Sequence, residues 1–466
     1  MPRPLQLDPN ALLLRLQSQG PLTAQALADA VGVDRSRVSR GLTALGAPIV
    51  RLGVTRGARY ALRRPVRGLG DTFLIRRIDA EGRAQDWAEL TTLHGGWRVA
   101  WAHPQNAPAW ADARLLSLGG WSEGFPFFLS DIRPQGYLGR ALGRGLPPAL
   151  GLDTDPRNWG DDDTLVYLQS EGEDLPGDLV VGDYPLRRIQ ERVRQPAPYH
   201  LGAADRAEHY PLNAISVLAP RGGSSVEGEQ PKFLATLAGA NAPEHVIVKF
   251  TDTLSTPTGR RWADLLVSEA HALAVLHENG ESHAAPRLLD AGERLFFEAP
   301  RFDRVGAHGR RGVVSLRALH DAFPGPDANA WLPVAANLMA SGLIDAAALR
   351  SIRLRHAFGM LTGNSDMHLG NLAFWLEDTL PLRLAPAYDM LPMLWAPVAG
   401  NATPLPVFAP ELPLPAELEW WRPAAGWAAD FWQRVATDQR VSPEFARIAR
   451  EAGETVGRLR AHFGIG

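Results

Sequence analysis

The sequence of 466 residues contains no cysteine, which excludes disulfide bonds and thiolate metal sites. It also has no apolar run long enough to span a bilayer, and the first ten residues, MPRPLQLDPN, lack the apolar stretch of a signal peptide. Apolar residues make up 45% of the chain and charged residues 21%, as is usual for globular proteins. We therefore expect a cytoplasmic protein of about two to four domains, with no membrane partner.

Lysine is almost absent. Of the 48 Lys and Arg residues, only Lys232 and Lys249 are lysine. Because arginine serves nearly everywhere else, a lysine that remains indicates a position where a compact ammonium on a flexible stem is required. Chance placement is the alternative interpretation.

Positive charge is concentrated at the N-terminus. Residues 1–68 hold eleven arginines and three aspartates, a net charge of +8. Because the whole chain has a net charge of −3, the remaining residues carry −11. A basic head on an acidic body indicates a nucleic-acid contact confined to the head, and a basic surface without a partner is the alternative.

Residues 1–66 predict a winged helix-turn-helix domain. A first helix is expected over residues 11–17, and Thr23 and Asp34 can cap two further helices. The last of these would direct Val38, Leu42 and Leu45 inward, and residues 48–64 then predict two strands around a glycine-containing turn, as in a wing. The side chains expected to contact double-stranded DNA are Arg35, Arg37, Ser39, Arg40, Arg51, Arg56 and Arg59. A protein–protein module is the alternative, since winged helices serve both purposes.

Residues 67–204 predict a β-rich subdomain. Short apolar stretches, DTFLIRRI, WRVAWAH and DTLVYLQ, indicate strands joined by loops, with one or two helices. The segment GDDDT (160–164) could bind a cation, but an acidic solvated turn is the preferred interpretation.

Residues 205–305 predict an ATP-binding lobe. LNAISVL (212–218) is strand-like, and a glycine-rich loop follows it, with Gly222, Gly223 and Gly228 allowing close approach of a ligand. Strands are expected over 233–237 and 244–250, the second with Lys249 near its end. A helix over 262–278 contains Glu269 and His271, and a further strand runs into the PRFDR turn. In kinases this order places a loop and a lysine at the phosphates and a helix glutamate beside the lysine.

Residues 306–466 predict a helical catalytic lobe. Within it, the segment GNSDMHLGN (363–371) follows an apolar helix and carries the candidate catalytic residues. Asp366 and Asn371 have the spacing at which a kinase catalytic loop keeps its proton acceptor and a magnesium ligand. Asp389 follows in LAPAYDM, where a kinase keeps a second metal aspartate. Two hard oxygen ligands together with nucleotide phosphates suit Mg²⁺.

Four motifs resemble the HipA family of bacterial serine/threonine kinases, whose founding member is a toxin of a type II toxin–antitoxin system. SVEGEQPK (225–232) is similar to the Gly-rich loop of that family, HVIVKF to its ATP-lysine strand and PRFDR (300–304) to its hinge. NSDMHLGN together with APAYDM is similar to its catalytic and metal loops. The resemblance covers residues 70–466 and implies an α+β, protein-kinase-like two-lobe fold with a β-rich N-terminal subdomain and an all-helical C-terminal lobe.

The resemblance implies a role for each matching residue. Asp366 would be the catalytic base, and Asn371 and Asp389 would bind Mg²⁺. Ser225, or its neighbour Ser224, would be the autophosphorylation site in the Gly-rich loop. The residues expected to bind ATP are Gly228, Gln230, Lys232, Lys249, Phe302, His368 and Asn371, with Phe302 bordering the adenine and His368 bracing the loop by hydrogen bonding.

The sequence also departs from the founding member. Met367 and Gly370 replace a glycine and a lysine of its catalytic loop, and Glu227 adds negative charge to the Gly-rich loop. The basic head lies on the same chain, whereas the founding member pairs with a separate helix-turn-helix antitoxin. We expect the head either to hold the kinase on DNA or to restrain it in cis, and a separate antitoxin and a homodimer stay open.

The sequence therefore predicts an ATP- and Mg²⁺-dependent serine/threonine protein kinase with its own DNA-binding head. Protein substrates in this family include aminoacyl-tRNA synthetases, and nothing in the sequence selects one. The alternatives are a DNA-binding regulator whose kinase part is a sensor or scaffold, a small-molecule phosphotransferase, and a metal-dependent nuclease using the same carboxylates.

Overall fold

The structure, a computed structural model, describes residues 7–54, 57–111, 117–194, 200–218, 230–323, 325, 328–397 and 406–464. Seven residues with predicted roles lie outside the described residues: Arg56, Gly222, Gly223, Ser224, Ser225, Glu227 and Gly228. No helix in these ranges is long and apolar enough to cross a membrane.

The N-terminal unit contains three helices and a three-stranded antiparallel sheet in the order β1-β3-β2. Thr23 and Asp34 cap the second and third helices as predicted, because their side chains accept hydrogen bonds from Ala26 N and Arg37 N. Val38 is fully buried and points into the core of this unit. The elements are α1 (Pro9–Gln19), β1 (Leu22–Thr23), α2 (Ala24–Val31), α3 (Arg35–Leu45), β2 (Ile49–Leu52) and β3 (Arg59–Leu62).

The middle unit is built on a five-stranded antiparallel sheet in the order β7-β6-β5-β4-β8. Its first two apolar stretches form strands as expected, but DTLVYLQ is helical and lies within α6. The elements are β4 (Thr72–Ile78), β5 (Ala84–Leu93), β6 (Gly96–Trp101), α4 (Ser117–Gly120), β7 (Trp121–Ser122), α5 (Gly136–Gly145), α6 (Asp161–Glu171), β8 (Leu179–Val181) and α7 (Asp183–Arg194).

The acidic segment GDDDT begins a helix and does not form the solvated turn that was expected. Its three aspartates form the first turn of α6, where the helix dipole favours negative charge. Each aspartate binds an arginine: Asp161 binds Arg133, Asp162 binds Arg64 and Asp163 binds Arg67. Two of these arginines follow β3, so the segment joins the N-terminal unit to the middle unit.

The next unit contains a four-stranded antiparallel sheet in the order β11-β12-β10-β9. The strand expected over 212–218 is wrong, because these residues form the second half of a helix. Tyr210, Ala214 and Leu218, spaced four residues apart, are buried against this sheet, and that packing overrides the local pattern. The elements are α8 (Ala203–Leu218), β9 (Lys232–Leu237), β10 (Glu244–Phe250), α9 (Pro257–Glu278), β11 (Arg287–Ala291) and β12 (Arg294–Pro300).

The C-terminal region is mainly helical, and α12, α13 and α14 pack together around buried aromatic side chains such as Phe431 and Trp432. It is not entirely helical, since β16, which follows the GNSDMHLGN segment, pairs with β15 from earlier in the region. The elements are β13 (Arg304–Val305), β14 (Gly309–Arg310), β15 (Val313–Ser315), α10 (Leu316–Ala322), α11 (Trp331–Ala340), α12 (Ala346–Leu361), β16 (Ala373–Trp375), α13 (Leu418–Thr437) and α14 (Pro443–His462).

Candidate active site

The two lysines of the chain lie side by side. Lys249 on β10 pairs with Lys232 on β9 and with Phe297 on β12, so that cross-strand geometry places the two lysine side chains on the same face. Lys249 is only 6% exposed, whereas Lys232 is half-buried. A buried ammonium requires partners of opposite charge, and the structure supplies two.

Lys249 bridges two carboxylates from distant parts of the chain. Its Nζ donates to Glu269 Oε1 and Oε2 at 2.6 and 2.8 Å, and to Asp389 Oδ1 at 2.5 Å. Burial would lower the pKa of Lys249, but the charges of Asp389 and Glu269 prevail and raise it. Burial would likewise raise the pKa of Asp389, but Lys249 and Lys232 lower it to about 2. Asp389 is therefore ionised at neutral pH.

Glu269 is held by a helix that is tied to the C-terminal lobe. Burial, opposed by Lys249 and reinforced by the charge of Asp389, raises the pKa of Glu269. On the same helix, Asp264 accepts hydrogen bonds from both the backbone N and the Oγ of Ser442 at 2.7 Å. His271 lies 2.8 Å from Asp438. The helix that supplies the lysine partner is thus fixed on two sides of Glu269.

The loop after α12 carries Asp366. Asn364 Oδ1 accepts from the backbone N of Asp366 at 3.1 Å, and Asn371 Nδ2 donates to the carbonyl of Asp366 at 2.8 Å. His368 Nδ1 accepts from Gly370 N at 3.0 Å, which fits the predicted bracing role. The Asp366 side chain opens to solvent. Partial burial raises its pKa, while the neighbouring His368 opposes this.

Two hydrogen bonds join this loop to the Asp389 loop. Tyr388 Oη donates to the carbonyl of Gly370 at 2.6 Å, and Asn364 Nδ2 donates to the carbonyl of Asp389 at 3.3 Å. Asp389 has a φ of +52°, a left-handed conformation that aspartate tolerates better than most residues. Sequence reasoning did not identify Asn364 and Tyr388, although each stands within two residues of an aspartate that it did identify.

The predicted hinge lies beside the same loops. Phe302 contacts Tyr388 and Trp375, with ring centroids 5.8 and 5.6 Å apart. Next to it, Asp303 binds Arg301 and Arg304 in a buried cluster, and it also accepts from the backbone N of Gly177 in the middle unit. The middle unit therefore contacts the predicted hinge through Gly177.

Gln230 lies at the end of the Gly-rich segment, where its side-chain amide donates to the carbonyl of Phe250. The donor set of the site suits Mg²⁺ and nucleotide phosphates: oxygen ligands from Asp389 and Asn371, and cations from Lys249 and Lys232. In the described part of the chain no three Asp, Glu, His or Cys side chains group to hold a metal by themselves. Such a site needs phosphate and water oxygens to complete the coordination of Mg²⁺.

The residues predicted to contact DNA lie mostly at the surface of the N-terminal unit. Arg35 and Arg40 are exposed on α3, whereas Ser39 is half-buried. Arg37 is also half-buried and pairs with Asp34 at 3.1 Å. Of the predicted wing residues, Arg59 is exposed at the start of β3 and Arg51 is exposed on β2.

Comparisons with known proteins find matches to two parts of the chain and to one relative over most of its length. Residues 69–190 match the family described as YjjJ-like toxin, middle domain, and residues 224–458 match the family described as HipA-like C-terminal domain. Toxin YjjJ of Escherichia coli strain K12 is 34% identical over 453 residues, covering 96% of this chain and 97% of that protein.

Solved structures are more distantly similar. HipA in the HipA, HipB and operator DNA complex of Shewanella oneidensis MR-1 is 14% identical with a TM-score of 0.48, covering 84% of this chain and 98% of that chain. The Helicobacter pylori proinflammatory kinase CtkA is 13% identical with a TM-score of 0.33, covering 49% of this chain and 90% of that chain. On the sequence matches to its middle and C-terminal regions and the near full-length similarity to Toxin YjjJ, the chain belongs to the HipA-like toxin family.

Proposed function

We propose that this protein is an ATP- and Mg²⁺-dependent serine/threonine protein kinase of the HipA toxin type. The observation that carries the proposal is the buried network in which Lys249 binds Glu269 and Asp389, next to the loop of Asp366 and Asn371. A lysine paired with a helix glutamate, together with a metal aspartate and a loop aspartate, is the set of groups that protein kinases use for phosphoryl transfer.

Each residue has a definite task in this mechanism. Asp366, open to solvent, accepts the proton of a serine or threonine hydroxyl on the protein substrate. Lys249, oriented by Glu269, stabilises negative charge on the phosphates, and Lys232 beside it supplies a second positive charge. Asn371 and Asp389 hold Mg²⁺, which when bound would neutralise charge on the nucleotide. The contact between Lys249 and Asp389 keeps this carboxylate ionised, which is the form that would hold Mg²⁺.

We propose three further properties on the same basis. Ser225 or Ser224 in the Gly-rich loop is the site of autophosphorylation, and a cytoplasmic protein such as an aminoacyl-tRNA synthetase is the substrate. The N-terminal unit binds double-stranded DNA and regulates the kinase or acts through it, in place of or beside a separate antitoxin. A homodimer is compatible with this scheme.

The proposal is tested by intact-mass spectrometry of the purified chain before and after incubation with Mg²⁺ and ATP, followed by peptide mapping. We expect one added phosphate on Ser224 or Ser225, and none in the Asp366→Asn variant. Among the described residues, the hydrogen bonds of Asp366 are made by its backbone N and carbonyl and not by its carboxylate, so the variant should fold and still bind nucleotide. A chain that binds no ATP, or that is phosphorylated equally in the variant, would refute the proposed mechanism.

A second candidate function is a DNA-binding regulator whose kinase part senses or scaffolds. The observation that favours it is the folded N-terminal unit with Arg35 and Arg40 exposed on α3. Point substitution tests the role of this unit better than deletion of residues 1–66, because Leu52 and Ala61 share a small apolar core with Leu93 of the middle unit. DNA binding without any phosphate transfer would favour the regulator, and unchanged DNA affinity and kinase activity in Arg35→Ala/Arg40→Ala would exclude a role for this surface.

A further inference from the structure

The segment that leads to Asp389 is held at two points before it reaches the site. The carbonyl of Ala385 accepts from Arg355 Nη1 at 2.7 Å. The backbone N of Ala387 donates to the carbonyl of Glu281 at 3.0 Å. Together these bonds fix the backbone four and two residues before the proposed metal ligand.

The two holding residues bind each other. Arg355 Nε donates to Glu281 Oε2 at 2.8 Å. Arg355 is 5% exposed and Glu281 is 8% exposed, so the ion pair is shielded from water. One guanidinium therefore reaches two partners in two directions, the Glu281 carboxylate through Nε and the Ala385 carbonyl through Nη1. A lysine ammonium at the same position is a single point and cannot reproduce this fork.

Both residues belong to elements that also serve the rest of the site. Glu281 lies three residues after the end of α9, which carries Glu269, and its backbone N donates to the carbonyl of Leu276 at 2.7 Å. Arg355 lies on α12, the helix that runs into the Asp366 loop. The pair thus joins the helix of the lysine partner, the helix before the catalytic loop, and the segment before Asp389.

We propose that Arg355 and Glu281 are positioning residues that set Asp389 for Mg²⁺. The inference rests on the proposed function, because it assigns a role relative to the metal. Residues outside the ligand shell that fix a ligand typically change metal affinity by about 10- to 100-fold when they are replaced. An ion pair with only a structural role would instead lower stability and leave the metal requirement of the folded protein unchanged.

The test measures binding of a fluorescent ATP analogue to the full chain, first in EDTA and then over a range of Mg²⁺ concentrations. For Arg355→Lys and Glu281→Gln we expect the half-saturating Mg²⁺ concentration to rise about 10- to 100-fold, with unchanged affinity for the analogue in EDTA. The matched control is Asp178→Asn, which removes a buried carboxylate paired with Arg77 in the middle unit and should leave the Mg²⁺ requirement unchanged.

Glu281→Gln keeps the side-chain volume and leaves the backbone carbonyl that accepts from Ala387 N in place. This variant alone is therefore sufficient for the test if Arg355→Lys does not fold. A wild-type Mg²⁺ requirement in the folded variants would overturn the inference while leaving the proposed function intact. A parallel loss of affinity with and without Mg²⁺ would do the same, because it would indicate general damage to the site. If the wild-type chain binds no nucleotide under either condition, the proposed function itself fails, and this inference fails with it.

Discussion

Replacing Glu269 by glutamine tests the central contact of the proposed site. The glutamate is 1% exposed and accepts two charge-assisted hydrogen bonds from Lys249. Glutamine keeps the size and one acceptor oxygen but removes the charge. Hydrogen bonds to charged groups contribute about 1.5–3 kcal/mol, and about 1.4 kcal/mol corresponds to a tenfold change in rate. We therefore expect phosphate transfer to fall about 10- to 100-fold.

Stability should change much less than activity. Burial raises the pKa of Glu269, which means that its charge is unfavourable in this environment, and the neutral amide relieves that penalty. Lys249 meanwhile keeps Asp389 as a partner at 2.5 Å, so no ammonium is left buried and unpaired. The two effects oppose one another, and the thermal midpoint should stay close to that of the wild type.

The assay is the initial rate of phosphate incorporation from labelled ATP at saturating Mg²⁺, with thermal melts run in parallel. The matched control is Glu278→Gln on the same helix, which removes a carboxylate that is 52% exposed and bound to Arg434. A wild-type rate in Glu269→Gln would refute the assigned role of the Lys249–Glu269 contact. An equal fall in Glu278→Gln would show that the loss reflects disturbance of α9 in general.

Three further predictions concern other parts of the molecule. Burial raises the pKa of Asp178 from 3.8 to about 6, so the native state holds its proton more tightly than the unfolded state. The stability of the wild type relative to Asp178→Asn should therefore fall by about 2 kcal/mol as the pH rises from about 4 to 6, measured from urea midpoints. A pH-independent difference would contradict this. Arg35→Ala and Arg40→Ala should each weaken binding to a random-sequence DNA duplex and reduce the slope of log affinity against log salt concentration by about 1 per lost phosphate contact. Fluorescence anisotropy measures this, with Arg15→Ala on α1 as the control. Unchanged slopes would exclude α3 from the interface. Leu42→Ala truncates a side chain that is 3% exposed in the core of the N-terminal unit and should destabilise that unit by about 2–5 kcal/mol in thermal melts; a melt unchanged from the wild type would contradict this packing.

Local patterns were sufficient for several elements of the fold. The strand predicted over 244–250 has the same bounds in the structure, because a run of seven residues with β-branched valine and isoleucine is short for a helix and suits a buried strand. The caps at Thr23 and Asp34 are also as predicted, because an N-cap depends on a side chain and an amide only a few residues away. The near absence of lysine likewise indicated that its two lysines occupy positions that need a compact ammonium, and in the structure Lys249 pairs with Lys232 on neighbouring strands.

Local patterns failed where distant residues decide the outcome. Residues 212–218 favour a strand by composition, yet they are helical because Tyr210, Ala214 and Leu218 bury one helix face on a sheet formed later in the chain. The three aspartates at 161–163 predicted a solvated turn. In the structure they begin a helix, and two of them form ion pairs with arginines nearly a hundred residues earlier.

The candidate site residues, Lys249, Glu269, Asp366, Asn371 and Asp389, were all recognisable in the sequence, because their order and spacing follow the kinase pattern. The sequence could not determine that Lys249 binds a carboxylate 140 residues away, or that Arg355 fixes the segment before that carboxylate from 30 residues earlier. The physical reason is that a buried charge is tolerated only with its partner, and that partner is chosen by the packing of α9 and α12 rather than by any neighbour in sequence.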